Sequence, residues 1–334
     1  MKRRIFEWIL VSVFLIAIGY FLRLQPITKD LEQRIYIATD LPELIAHNLV
    51  KGHLVSHEFV YFPSVGEKQW KEILKDKKID IFLGSQDFLL WAARNQQLQP
   101  LKEEFMEKNN TSAYDSLGRW VGIWADPWVV VYNRERMPNE EVENQFFWQR
   151  DTSAKKYRWI FPDIGNPNGN QRNIQFYRAL FNHFGEKFFY DSMIQFRPEI
   201  QNYVDNSSHG IRMVLLGQAD FALTHYSDLM AYQQNNLPLA WLGMEVNPAT
   251  IYGVGISHKT RQWDQVNKLI TFWQSPILES EWEKQNQIPW FRIESRPVKM
   301  VFEVGILNDN ESQTFLDEWL SEFRFGTLRK EMEE

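Results

Sequence analysis

No cysteine occurs among the 334 residues. That absence removes disulfides, thiolate nucleophiles, CxxC redox chemistry and cysteine-bound zinc, along with the lipid attachment that a lipobox cysteine would provide. Basic runs are missing too: beyond Lys2, Arg3 and Arg4 the positive charge is dispersed, and the formal net charge is -6. Such a chain sets up no field that would concentrate phosphate backbones, so no nucleic-acid partner is expected. HExxH, GxSxG, a phosphate-loop lysine and histidine-rich metal spacings are all absent. His53 and His57 stand four apart, but beside Leu54, Val55 and Phe59 they fit a strand as well as a helix, and they are read as surface residues. No metal or cofactor is therefore expected. Dispersed triads and carboxylate pairs leave no linear signature, so a hydrolase stays open as an alternative class.

What is present is the composition of a folded chain, 44% hydrophobic and 24% charged, with enough apolar surface to offset chain entropy. Its length fits two α/β units, each large enough to bury a core. No internal repeat or low-complexity linker is evident. At the N-terminus the basic triplet precedes an uncharged run from Trp8 to Leu22, closed by Arg23. This pattern reads as an export signal whose basic flank stays inside, placing everything after about residue 25 outside the cytoplasm. The only small-x-small pair, Ala17 and Gly19, is followed by more apolar residues, which favours an uncleaved membrane anchor over a cleaved peptide.

From Arg34 onward, short apolar runs alternate with helical stretches: Ile35 to Ala38, a helix through Leu44 and Leu49, Phe59 to Phe62, a helix near Trp70 to Leu74, then Ile79 to Gly84. A second unit of this kind has strands at Trp159 to Phe161 and Phe221 to Leu223, with helices over Ile174 to Phe181 and Ile211 to Leu216. Such βαβ rhythms predict parallel strands whose carboxyl ends share one ligand-binding edge. Val129 to Tyr132 and Ile251 to Ile256 are extended stretches suited to carry the chain out to a second lobe and back. Helices are predicted over Trp263 to Trp273, Ile277 to Lys284 and Ser312 to Phe323.

Five stretches carry a resemblance: "IDIFLGS" (Ile79 to Ser85), "DSLGRWVGIWADPWVVVYN" (Asp115 to Asn133), "FPDIGNPNGN" (Phe161 to Asn170), "LLGQADFALTHYSDLM" (Leu215 to Met230) and "NKLITFWQSP" (Asn267 to Pro276). In this order they resemble the type II periplasmic substrate-binding proteins of ABC transporters, in particular the iron(III), polyamine and phosphonate receptors. The resemblance implies an α/β, two-lobed Venus-flytrap fold behind the N-terminal hydrophobic helix. Residues 1-25 would be the signal or anchor, 26-127 with 252-334 the first lobe, and 128-251 the second. It implies a monomeric, non-enzymatic receptor that captures a small solute outside the cytoplasm for a membrane permease, and the N-terminal anchor would tether it to the membrane. A membrane-anchored sensor of the same fold is the alternative.

Solute-contact candidates follow from the strand ends. In the first lobe these are Thr39, Asp40, Gly84, Ser85 and Gln86, whose helix-start N-H groups suit an anion or a polar head. Asp40 and Ser85 could equally serve as helix caps, and both roles can coexist. In the second lobe the turn bearing Asn168, Gly169 and Asn170, with Arg172, lacks the serine and threonine of the phosphonate receptors. Thr224, His225 and Tyr226 end a strand where iron(III) receptors carry two adjacent tyrosines. With a single phenol here, iron is demoted. Asp126, Trp128 and Tyr252 flank the crossings. Among 14 tryptophans, most are expected in the core, while Trp124 and Trp128 could offer faces to a sugar or an amine. A small organic anion or sugar-like solute is the preferred reading.

Overall fold

Runs rich in β-branched and aromatic residues form the strands β1 (Arg34–Thr39), β2 (Glu58–Pro63) and β3 (Ile81–Ser85). They lie parallel in the order β2-β1-β3. The structure is a computed structural model that describes residues 34–41, 58–63, 70–72, 75, 78–107, 115, 117–137, 156–164, 171–233, 236–275, 288–289, 300–302 and 317. Beside β3 runs the antiparallel strand β10 (Asn247–Ser257), and beside that β5 (Trp120–Asn133), buried along all 14 residues.

β5 joins two half-sheets. Through Pro127 it pairs with β10, and from Trp128 it pairs with β8 (Phe221–His225). Next to β8 lie β6 (Trp159–Pro162) and β7 (Ile200–Val204), again parallel. The main order is β2-β1-β3-β10-β5-β8-β6-β7, with the short strands β4 (Leu98–Gln99), β9 (Leu239–Leu242), β11 (Ile288–Pro289) and β12 (Met300–Phe302) paired onto β10 or β5. Each half-sheet therefore has three parallel strands with the first in the middle, closed by one antiparallel strand.

Alternation along the strands divides the core into layers. In the second half-sheet, Trp128 and Val130 face Trp159, Phe161, Phe176 and Leu180, while Val129 and Val131 face Ile160, Ile211 and Val214 on the other side. In the first, Ile37, Ile81 and Leu83 share a layer with Val254 and Leu269, and Phe82 turns to Phe88 and Trp120. The helices covering these faces are α1 (Gln86–Arg94), α2 (Glu103–Glu107), α3 (Gln171–Phe184), α4 (Glu186–Phe196), α5 (Ser207–Leu216), α6 (Tyr226–Gln233) and α7 (Trp263–Trp273). Helix α5 stops at Gly217, whose φ of 70° needs a residue without a Cβ.

Helix α7 spans the predicted residues, and α3 extends the predicted stretch at both ends. Val129 to Tyr132 proves to be the far part of β5 rather than a separate segment. The helix expected to start at Ser85 is α1, whereas α2, α4 and α6 were not anticipated. The predicted segments at Trp8 to Leu22, Leu44 to Leu49, Ile277 to Lys284 and Ser312 to Phe323, and the pair His53 and His57, lie outside the described residues. Among the described residues no helix is long and apolar enough to cross a membrane.

The half-sheets repeat a local device that the sequence hides. Asp80, just before β3, takes the Tyr36 N-H on its carboxylate at 3.1 Å and gives its own N-H to the Tyr36 carbonyl at 2.8 Å. Asp220, just before β8 and 140 positions further on, does the same with Arg158: its carboxylate accepts the Arg158 N-H at 2.8 Å, and its N-H reaches the Arg158 carbonyl at 2.9 Å. Each aspartate thus registers the third strand of its half against the first.

Candidate functional site

Parallel strands aim their carboxyl ends, and the helices that follow them, at one edge, and at that edge the two half-sheets meet around the Asp126–Trp128 passage of β5. Ser85 is the N-cap of α1, with extended backbone (φ -63°, ψ 156°), and its hydroxyl oxygen accepts the Phe88 N-H at 3.4 Å. The Ser85 N-H donates to Asp40 Oδ1 at 2.9 Å, and the Ser85 hydroxyl donates to the same carboxylate. Gly84 makes room for this: a Cβ there would lie 2.0 Å from Asp40 Oδ1. Thr39 is buried, and its hydroxyl oxygen accepts the Leu41 N-H at 3.0 Å, turning the chain after β1. Gln86 opens α1, half-buried. Ser85 therefore caps α1 and Asp40 holds that cap in place, while the helix that Asp40 was expected to cap lies outside the described residues.

The second half-sheet repeats the arrangement from the crossing strand. Asp126 Oδ1 accepts the Ser227 N-H at 3.0 Å, and Asp126 Oδ2 accepts the Ser227 hydroxyl proton at 2.6 Å, which places a carboxylate at the start of α6. His225 Nδ1 lies 3.6 Å from Asp126 Oδ2. At the start of α5, Asn206 caps through the Ser208 N-H, and the Ser207 hydroxyl donates to Asp228. The N-H groups of Ser85, Phe88, Ser208 and Ser227 at these helix starts thus already face protein oxygens, and carboxylates suit that end of the helix dipole.

Aromatic candidates sit deeper. Trp128 is buried between Phe176, with ring centroids 5.0 Å apart, and His225, at 4.0 Å. Tyr252 is buried and stacked on Trp124 at 4.9 Å within 10° of parallel. The Tyr226 ring meets Trp241 edge-on at 5.3 Å, and Thr224 is fully buried at the end of β8. Asn168, Gly169 and Asn170 lie outside the described residues; Arg172 belongs to α3, but its side chain is not among those described. Among the described residues no group of three or more acidic or histidine side chains is placed to hold a metal ion.

One constellation escaped the sequence reading. Gln175 of α3, buried, donates from Nε2 to Asp87 Oδ2 at 2.8 Å and accepts at Oε1 from the Thr250 hydroxyl at 3.0 Å. Asp87 lies in the first turn of α1, Thr250 on β10, and Thr250 pairs across the sheet with Asp126. Burial pushes the Asp87 carboxyl above its ordinary pKa, while the Gln175 hydrogen bond and the positive charges of Arg178 and Arg94 pull it the other way. Ser227 was missed as well, and neither it nor Gln175, a neutral residue inside a helix, carried a signal in the sequence.

At this edge Asp40, Asp126 and Asp228 accept from serine hydroxyls, and Asp40 and Asp126 from main-chain N-H groups as well, at three helix starts around the passage between half-sheets.

No family model matches the chain, and no curated protein matches it by sequence. Solved structures do. The ferric binding protein from Campylobacter jejuni superposes with a TM-score of 0.65 at 14% identity, over 85% of this chain and 98% of that one. Iron-bound HitA from Pseudomonas aeruginosa gives 0.60 at 15%, over 84% and 91%. The periplasmic binding protein AfuA from Actinobacillus pleuropneumoniae, with fructose-6-phosphate bound, gives 0.61 at 14%, over 87% and 99%. The mixed α/β fold of this chain is that of the periplasmic binding proteins.

Proposed function

We propose that the protein is an extracytoplasmic solute-binding protein that closes two lobes over a small solute and presents it to an ABC-transporter permease. The observation that carries the reading is the pair of half-sheets with the same strand order, joined through β5, whose helix-bearing edges meet at Asp126–Trp128. In this reading the boundary expected between 251 and 252 moves to the start of β10, because Ala249 to Gly255 pair with the part of β5 before Trp128: residues 34 to 127 and the chain from β10 onward form the first lobe, and 128 to about 246 the second. The segment up to residue 25 exports the chain and tethers it. The protein acts as a monomer and binds solute without transforming it.

Among the fold neighbours, HitA is iron-bound and AfuA holds fructose-6-phosphate. Here the positions of the iron receptors' tyrosine pair hold His225, buried on Trp128, and Tyr226, packed on Trp241. An iron site built there would need both rings to leave those contacts. Asp40 and Asp126 already occupy the helix starts that would draw an anion. These features favour a sugar-like, uncharged solute.

A thermal-shift screen of the full chain against sugars, sugar phosphates, phosphonates, polyamines, amino acids and ferric citrate tests the proposal. A solute at a hundred times its Kd stabilises the native state by about 2.7 kcal/mol, so one class is expected to raise Tm by several degrees. A panel that leaves Tm unchanged overturns the reading.

A further inference from the structure

We infer that Gln175 is an inter-lobe latch: its amide ties α1 and β10 of the first lobe to α3 of the second and sets how readily the lobes stay closed. The inference rests on the two-lobed reading above. Among the hydrogen bonds described, the Gln175 carboxamide stands out because a single side chain of one half bridges two separate elements of the other. Its orientation is dictated at both ends. An ionised Asp87 can only accept, so Nε2 must face it, which leaves Oε1 for the hydroxyl proton of Thr250. Gln175 and Thr250 are both buried, so water cannot replace the bond between them while the lobes are together, whereas the bond to Asp87 is part-buried. The neighbours Phe176, Tyr177 and Leu180 belong to the core of the second half-sheet, so α3 cannot move without that half.

Asp87 makes the latch sensitive to acid. The charged groups facing it are Arg178 from α3 and Arg94 from its own helix. Asp40 sits on Ser85 at the start of the same helix, and Arg119 donates to the Ala93 carbonyl near its end. From β10 the nearest titratable residue is Tyr252, in register with Ser85. Desolvation raises the Asp87 pKa when the latch is made; with the lobes apart the carboxyl is solvated and that raising cause is lost. The latched form then binds the proton more tightly. Closure is favoured as pH falls through the raised pKa, and the gain levels off below the ordinary one.

The absence of cysteine gives a clean readout. Leu117 and Leu216 are among the most exposed large apolar residues, one in each half, and Leu117→Cys with Leu216→Cys allows two fluorophores to report the inter-lobe distance in the full chain. Without solute, Gln175→Leu and Thr250→Val are expected to lower the closed-to-open ratio, Gln175→Leu on the order of tenfold for two lost hydrogen bonds. Asp87→Asn, which still offers an oxygen to Gln175, is expected to keep the closed form and abolish the acid response. Circular dichroism confirms that each variant is folded, and Thr250→Val, which only exchanges a hydroxyl for a methyl, stands in should Gln175→Leu fail to fold. If solute moves the lobes of the parent protein but neither Gln175→Leu nor Thr250→Val shifts the ratio beyond twofold, the latch is wrong and the receptor stands. If one distance persists with every solute and every variant, the two-lobed receptor and its latch fall together.

Discussion

Trp128→Ala is expected to remove about 3–5 kcal/mol from the unfolding free energy, the usual cost of emptying a large aromatic site in a core. Trp128 is the first residue of β5 in the second half-sheet, and its indole fills the space between Phe176 of α3 and the His225 ring at the end of β8. Without it, a helix and a strand end lose their common packing partner at the passage between halves. Trp128→Phe keeps a ring there and is expected to retain most of the stability. Urea unfolding followed by circular dichroism measures both. A ring that served mainly as a solute platform would give the opposite pattern, with affinity lost and the urea midpoint unchanged.

Asp80→Ala is expected to cost about 3 kcal/mol, far more than an ordinary surface change. The carboxylate is fully buried and accepts from the Tyr36 N-H and, at 2.6 Å, from the Thr260 hydroxyl. Its main chain bonds Tyr36 on one side and Ser257 on the other, so β1, β10 and the turn into α7 all meet at this residue. Alanine would strand the buried Thr260 hydroxyl and take the carboxylate acceptor from the part-buried Tyr36 N-H. Asp80→Asn keeps one acceptor oxygen and is expected to fall about midway. Differential scanning calorimetry of both variants is the check, and an Asp80→Ala protein as stable as its parent would contradict the assignment.

The strands were legible because β-branched and aromatic clusters between polar breaks carry the signal locally, and β1, β3, β6 and β8 appear where those clusters stand. The edge bearing the candidate residues was legible for the same reason, since the end of a parallel strand can be located once the strand is. What those residues do was less visible. Asp40 and Asp126 lie at the predicted edge, but their serine partners come from distant turns, 45 and 101 residues away. The motif around Ala219 and Asp220 pointed to the right fold, yet Asp220 works as a strand register through Arg158. The start of α1 was legible from its cap Ser85, but its extent was not, because the apolar face of "QDFLLWAAR" follows the strand without a break. Gln175 was out of reach of any local pattern: its partners lie 88 and 75 residues away and meet it only when the halves come together.

The central claim, two lobes closing on a solute, is tested most directly by titrating the doubly labelled full chain with the solute that raises Tm in the screen. The account predicts that the distance between the labels at positions 117 and 216 changes as solute is added and saturates over the same concentrations as the thermal shift. A solute that raises Tm while the inter-lobe distance stays constant would show a rigid binding site and contradict it.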